Sequence, residues 1–209
     1  MMGRYERSCY SLAMSKGDRT REMIVEEALR VASTMGLEGI SIGELARRLE
    51  LSKSGLFAHF QSKTRLQLEI VEAASFQFGQ AVVLPALRAP RGEPRVQALF
   101  ESWLRWANVD GLPGGCLFVS ASAEFDDRPG EVRDLLRDKQ EEWVGILERA
   151  TRIARDEGHF GAHVDPEQFA FQAYAIMLGA HHFHRLLGRG DVLSRARRAF
   201  DDLLAAARG

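Results

Sequence analysis

"LSKSGLFAHFQSK", residues Leu51–Lys63, is the stretch on which the fold turns. Its apolar spacing and early serine predict a short helix opening at Ser52, with Leu51 and Leu56 placed to staple the first turn. Gly55 nevertheless falls inside that turn, where glycine costs about 1 kcal/mol relative to alanine because more backbone freedom is lost. A chain that carries this cost gains something from a missing side chain. Just upstream, Ser41-x-x-Glu44 has the form of a capping box with Ile40 and Leu45 flanking it, and it starts a helix ending near Leu49. Two short capped helices joined by a tight turn have the dimensions of a helix-turn-helix, whose second helix enters the major groove of DNA by its N-terminal residues. On this reading Gly55 leaves the backbone bare where DNA approaches. Lys53 can reach a guanine edge or a phosphate, and Ser54 can donate to either.

Working outward, the next helix opens Ser62-Lys63-Thr64-Arg65. Two cations at the positive end of a helix dipole are unfavourable by about 0.3–1 kcal/mol each at an exposed site. A phosphate bound there reverses the sign, because dipole, amide N–H groups and cations converge on it. Local charge agrees in direction. Residues 1–65 carry 11 Lys and Arg against 8 Asp and Glu, and the remainder 17 against 21, in a chain of net charge −1. The basic segment points to a local anionic partner.

These residues carry a resemblance. Thr20-Arg21, a first helix of small residues, "ISIGELARRLELSKSGLFAHFQSKTRL" and the amphipathic helix after it are similar to the TetR family of bacterial transcriptional regulators, over about Thr20 to Leu68. "GGCLFVSASAEFDDRPGEVRDLL" resembles the C-terminal domain of one subgroup. The resemblance implies an all-α fold. A helix-turn-helix module with an N-terminal arm is expected over residues 1–65, and a helical effector-binding and dimerisation domain over 66–209. The implied function is sequence-specific regulation of transcription, as a repressor released by a small apolar or aromatic ligand. Expected DNA-contacting residues are Arg21, Ser41, Lys53, Ser54, Gly55, Phe57, His59 and Lys63, with Arg21 and Lys63 on phosphate. Two positions depart from the family pattern. Phe57 stands where a tyrosine hydroxyl usually bonds phosphate, and Glu50 occupies a turn position commonly held by glycine. Glu50 at positive φ would carry about 1 kcal/mol of strain.

The rest of the chain also reads as helix, with no period-two β-branched run and with Gly and Pro at plausible helix ends. Expected spans are Asp18 or Thr20 to Met35, Ser62 to Leu84 (stopped by Pro85), Arg95–Val109, Cys116–Phe125, Pro129–Glu157, Asp165–Leu187 and Val192–Ala207. The 209 residues, 45% hydrophobic and 27% charged, have globular composition. Cys9 and Cys116 form neither a metal spacing nor a disulfide framework, so a reducing cytoplasm is the expected setting. No membrane span or secretory signal is expected. Met14 opens a more ordinary beginning than Met1, which makes residues 1–13 an arm or an over-extended start.

Aromatic residues from several helices are candidates for an effector pocket: Trp103, Trp106, Phe118, Phe125, Trp143, Phe171, Tyr174 and Met177, with Gln172 and His181 as polar groups that orient a ligand. The same residue types pack ordinary core. A homodimer is expected from the 165–187 helix. It carries Phe169, Ala173, Ile176, Ala180, Phe183 and Leu187 on one side and Phe171, Tyr174 and Leu178 on the other, and the last helix offers a matching stripe. His181 and His184 share a face but lack a matching third ligand, so no metal is expected. No cofactor motif and no serine–histidine–acid spacing is present, and the reading is of a protein that is not an enzyme. The alternative from another class is a helical enzyme or small-molecule carrier that uses the C-terminal cavity. Double-stranded operator DNA, a small-molecule effector and a second copy are the expected partners.

Overall fold

Three serines punctuate the N-terminal region. In the computed structural model, which describes residues 16–110 and 112–208, Ser41, Ser52 and Ser62 each cap a helix by accepting a backbone N–H. The helices are α2 (Ile42–Arg48), α3 (Lys53–Phe60) and α4 (Lys63–Phe78). The capping distances are 3.5 Å from Glu44 N, 3.0 Å from Gly55 N and 3.1 Å from Arg65 N. Only half of the expected capping box forms. The Glu44 carboxylate bonds Arg47 and Arg48 instead of reaching back, since ion pairs three and four residues on satisfy it better. Between α2 and α3, Glu50 sits at φ 54°, so the expected strain is present, and Gln61 at φ 63° adds a second such position after α3.

Ahead of these, α1 (Lys16–Met35) buries Ile24, Ala28, Leu29 and Ala32 against α4. Residues 1–13, read above as an arm, lie outside the described residues. The α4 helix does not stop at Pro85. It widens into a π-turn over Gly79–Val83 and continues as α5 (Leu84–Leu87). Leu84 N–H bonds Gly79 O, five residues back. That register shift moves the backbone a proline ring would otherwise strike. The continuous 63–87 helix is long and apolar enough to cross a membrane by length and composition. In this fold it packs between α1 and α8.

The remaining helices are α6 (Glu93–Arg105, running into a π-turn at Trp106–Asp110), α7 (Leu117–Phe125), α8 (Glu131–Asp156), α9 (Pro166–Arg185) and α10 (Val192–Arg208). Pro129 precedes α8 rather than opening it, because Gly130 at φ 144° turns the chain first. No strand occurs among the described residues. α9 packs between α8 and α10, and α6 closes the group. The apolar stripe of α10, Val192, Ala196, Phe200 and Leu204, is spent inside its own domain and is not left for a second copy. There Phe200 stacks on Phe100 at 3.8 Å and meets Phe169 edge-on at 6.4 Å.

Candidate functional site

The inner side of α3 is anchored by buried Leu56 and Phe60, which turns Lys53, Ser54, Gly55 and Phe57 outward. Phe57 is 52% exposed, a large ring left at the surface. Among the described residues, neither the Lys53 ammonium nor the Arg65 guanidinium has an acceptor. A Cβ at Gly55 would stand 2.9 Å from Ser52 Oγ and meet nothing else within 4 Å. Glycine here leaves the outward side of the first turn open, since the crowded atom is the end of a side chain that can turn. Ser54 Oγ lies 3.3 Å from Ser52 Oγ, and Ser41 spends its hydroxyl on its helix cap.

Arg21 and Lys63, both expected on phosphate, are engaged within the chain. The Arg21 guanidinium bridges Glu69 with two hydrogen bonds, donates to His59 O at 3.0 Å and lies 5.1 Å over the Phe60 ring. It thereby ties α1 to α4 and to the end of α3, and the hydrogen bond to Glu69 holds its pKa above the ordinary value. His59 is half-buried and supplies the carbonyl. Lys63 Nζ lies 3.0 Å from Glu38 Oε1 and also donates to Glu38 O. The hydrogen bond from Lys63, joined by one from Gln67, holds the Glu38 carboxyl below the usual carboxylate range.

Glu38 belongs to a junction between the N-terminal helices and α7 that no local pattern announces. α1 ends at Gly36 with φ 84°. The two following amides, Leu37 N and Glu38 N, donate to the Glu124 carboxylate on α7 at 3.2 and 2.8 Å. A Cβ on Gly36 would stand 2.4 Å from Glu124 Oε1, so glycine is needed for fit as well as for φ. Buried Gln67 donates to Leu37 O and Glu38 Oε2, both at 3.1 Å, and Arg128 approaches Glu38 at 3.9 Å. Gly114 N donates to Ser33 Oγ at 3.1 Å, and a Cβ there would lie 1.4 Å from Ser33 O. The loop before α7 is pressed onto the end of α1.

α7 also walls a small cavity between α4, α6, α7, α8 and α9. Of the expected pocket residues, Trp103, Phe118, Trp143 and Tyr174 line it. Phe78 lies at the centre of the rings, 5.0 Å from Trp143 and 6.1 Å from Phe118, both edge-on. Trp106 packs behind Phe78, while Phe125 is buried towards the far end of α7. Met177 is fully buried core, and His181 is buried where a Cβ on Gly115 would meet it. Phe171 and Gln172 do not reach the cavity. Tyr174 faces inward, and a residue two positions away on a helix is turned by about 200°, so Gln172 points outward; Phe171 is 68% exposed.

The polar lining escaped the sequence reading: Ser75, Lys139, Gln140 and Glu142, beside Phe78, Val83, Cys116 and Ile146. Their signal was weak, since polar residues on an amphipathic helix usually face water. Tyr174 Oη donates to Gln140 Oε1 at 2.7 Å, and Gln140 Nε2 donates to Ser122 Oγ at 3.0 Å and to Phe118 O. Lys139 pairs with Glu72 at 2.9 Å. Burial pushes the Tyr174 and Cys116 pKa values up and keeps both groups neutral. The buried indole N–H of Trp143 has no acceptor. The cavity lining is thus aromatic on one side and polar on the other.

Two family models match the chain. The family model described as bacterial regulatory proteins, tetR family, matches residues 24–70, and that of the tetracyclin repressor-like C-terminal domain matches residues 92–200. The HTH-type transcriptional repressor NemR of Escherichia coli K12 is 24% identical over 163 residues, covering 77% of this chain and 81% of NemR. A TetR transcriptional regulator from Chloroflexus aurantiacus superposes with a TM-score of 0.82 at 24% identity, over 92% of this chain and 96% of that one. AibR, solved in complex with isovaleryl coenzyme A and operator DNA, superposes with a TM-score of 0.69 at 22% identity, over 90% and 97% of the two chains.

Proposed function

Because this chain belongs to the TetR family of bacterial regulators, we propose that it is a cytoplasmic homodimeric repressor of transcription, released from its operator when a small aromatic or apolar ligand enters the cavity. The observation that carries the reading is the outer face of α3. Lys53, Ser54 and Phe57 stand exposed around an open Gly55, and unengaged Arg65 follows at the start of α4. Lys53 and Ser54 read bases, and Arg65 adds to the phosphate grip. Phe57 gives an apolar contact, of the kind a thymine methyl accepts.

Arg21 serves binding by holding α3 in place, with His59 as its anchor. Lys63 reaches phosphate by leaving Glu38. That exchange is inexpensive, because a pair with side chains 39% and 46% exposed is worth at most about 1 kcal/mol. Ser41 contributes its backbone region at the start of α2. The module spans about residues 1–65, and α4 passes from it into the effector domain.

The second copy docks on the outer face of α9. Phe171 and Phe183 on that helix, 68% and 42% exposed, and Leu186 and Leu187 just after it, 73% and 48% exposed, make the patch, and a Cβ on Gly179 would meet nothing within 4 Å. In the cavity, the ligand packs against the rings of Phe78, Phe118 and Trp143. The ligand weakens DNA binding only through its difference in affinity for the two subunit arrangements, so operator DNA weakens ligand binding by the same factor. Selecting bound fragments from genomic DNA and titrating the selected site against a scrambled duplex tests the reading. A selected two-fold site bound at least 100-fold more tightly than the scrambled duplex is expected. Equal affinity for the two, or a monomeric mass by sedimentation at micromolar concentration, overturns it.

A further inference from the structure

We propose that Glu124 is the positioning residue by which the larger domain sets the angle of the DNA-reading module, so that two reading helices in a dimer match a two-fold operator. The inference rests on the function proposed above. Its starting point is mechanical. The module is joined to the rest of the chain through α4, against which α1 packs. A body held by one helix can swing about that helix, and a second attachment away from the axis removes the swing. Glu124 supplies that attachment at the far end of α1. Its two carboxylate oxygens accept the consecutive amides of Leu37 and Glu38 at 3.2 and 2.8 Å, a two-point grip that fixes direction as well as distance.

The surroundings are shaped for this grip. Gly36 has no side chain where a Cβ would stand 2.4 Å from Glu124 Oε1, and Gly114 lies against Ser33 where a Cβ would stand 1.4 Å from the carbonyl oxygen. Two close approaches from the same helix and its leading loop meet one turn of the module. The same Glu38 whose amide is held also binds Lys63, so the grip ties the start of α4 to the end of α1.

The other end of α7 lines the ligand cavity. Phe118 is in the cavity wall, and Gln140 ties Phe118 O and Ser122 Oγ to α8 while accepting from Tyr174 Oη. From Phe118 to Glu124 is about 9 Å along a single helix. A ligand that displaces α7 at Phe118 therefore moves the carboxylate that holds the module.

The experiment compares three duplexes: the selected two-fold site, one half-site alone, and the two-fold site with its spacing changed by one base pair. A loosened module is at the matching angle for only a fraction of the time, and apparent affinity falls by that fraction. Glu124→Ala is expected to bind the two-fold site about 10-fold more weakly. It should bind the half-site as the parent does and lose most of the parent's discrimination against altered spacing. Glu124→Gln keeps one acceptor and should fall between the two. Glu124→Gln removes no volume from the contact, which keeps the test decisive if Glu124→Ala unfolds. Equal losses on two-fold site and half-site would mean that Glu124 only keeps the module folded and would overturn the proposal. So would an unchanged two-fold affinity. A parent protein with no preference for any two-fold site overturns the functional reading itself, and this inference with it.

Discussion

Polar groups on the outer face of α3 and polar groups around the cavity are held in opposite ways. Lys53 and Arg65 have no acceptor among the described residues, and the Ser54 hydroxyl touches only another hydroxyl. In the cavity Tyr174 is spent on Gln140, Gln140 on Ser122 and Phe118, and Lys139 on Glu72. Water satisfies an exposed donor without help, so an exposed helix face can keep its groups in reserve. A buried donor left alone costs about 1–3 kcal/mol, so a cavity must pair its groups internally. The Trp143 N–H is the exception, buried and unpaired in the cavity wall. The difference predicts that substitutions on α3 change affinity for DNA, whereas substitutions in the interior change stability first.

The largest effect should come from Gly55→Leu. A side chain in the open first turn collides with DNA, and operator affinity should fall to the non-specific level, a loss of about 1,000-fold. Helicity by circular dichroism should stay that of the parent. A loss of helicity would break the division between the two regions, because Gly55 would then serve the fold.

On the interior side, burial depresses the His181 pKa from 6.5 to about 4, reinforced by Arg185, His184 and His182. The unfolded chain binds the proton first, so this contribution to stability is complete above pH 6.5 and is lost as pH falls towards 4. The loss amounts to about 3 kcal/mol at most. Urea unfolding of the parent and of His181→Phe across that window should give a steeper pH dependence for the parent. Parallel curves would remove His181 as the cause.

Gln140→Ala strands the Tyr174 hydroxyl and should cost about 2 kcal/mol in the same unfolding measurement. Restoration by Tyr174→Phe in the Gln140→Ala background would sharpen the point, since the second change removes the orphaned group. The smallest effects belong to single α3 cations. Lys53→Ala should weaken operator binding about 10-fold and relax the base preference at one position. Arg65→Ala should weaken all duplexes alike and lower the salt-dependence slope by about 1. Neither should move the thermal midpoint.

The reading module was legible because its information is local. Ser41, Ser52 and Ser62 sit one residue before the helices they cap, and each cap bond spans three residues. Glu50 stands in the turn those caps define, and its positive φ followed from the turn. Pro85 misled because a π-turn, which has no sequence signature here, had already shifted the backbone register ahead of it. The cavity was legible only in part. Aromatic residues announced Trp103, Phe118, Trp143 and Tyr174, but the direction in which Gln172 and Phe171 point depends on how α9 is rotated against α8 and α10.

The sequence by itself determined the helical class, the helix-turn-helix, its three caps and the outward residues of α3, because each depends on contacts within one or two turns. Only the tertiary structure decided that Arg21 and Lys63 are engaged within the chain and that Gln140 serves the cavity. The same holds for the α10 stripe, spent inside its own domain, and for Glu124, which grips the end of α1 across 86 and 87 positions of sequence. Those pairings depend on how whole helices pack. Packing is set by the summed burial of many side chains, which no short stretch of sequence displays.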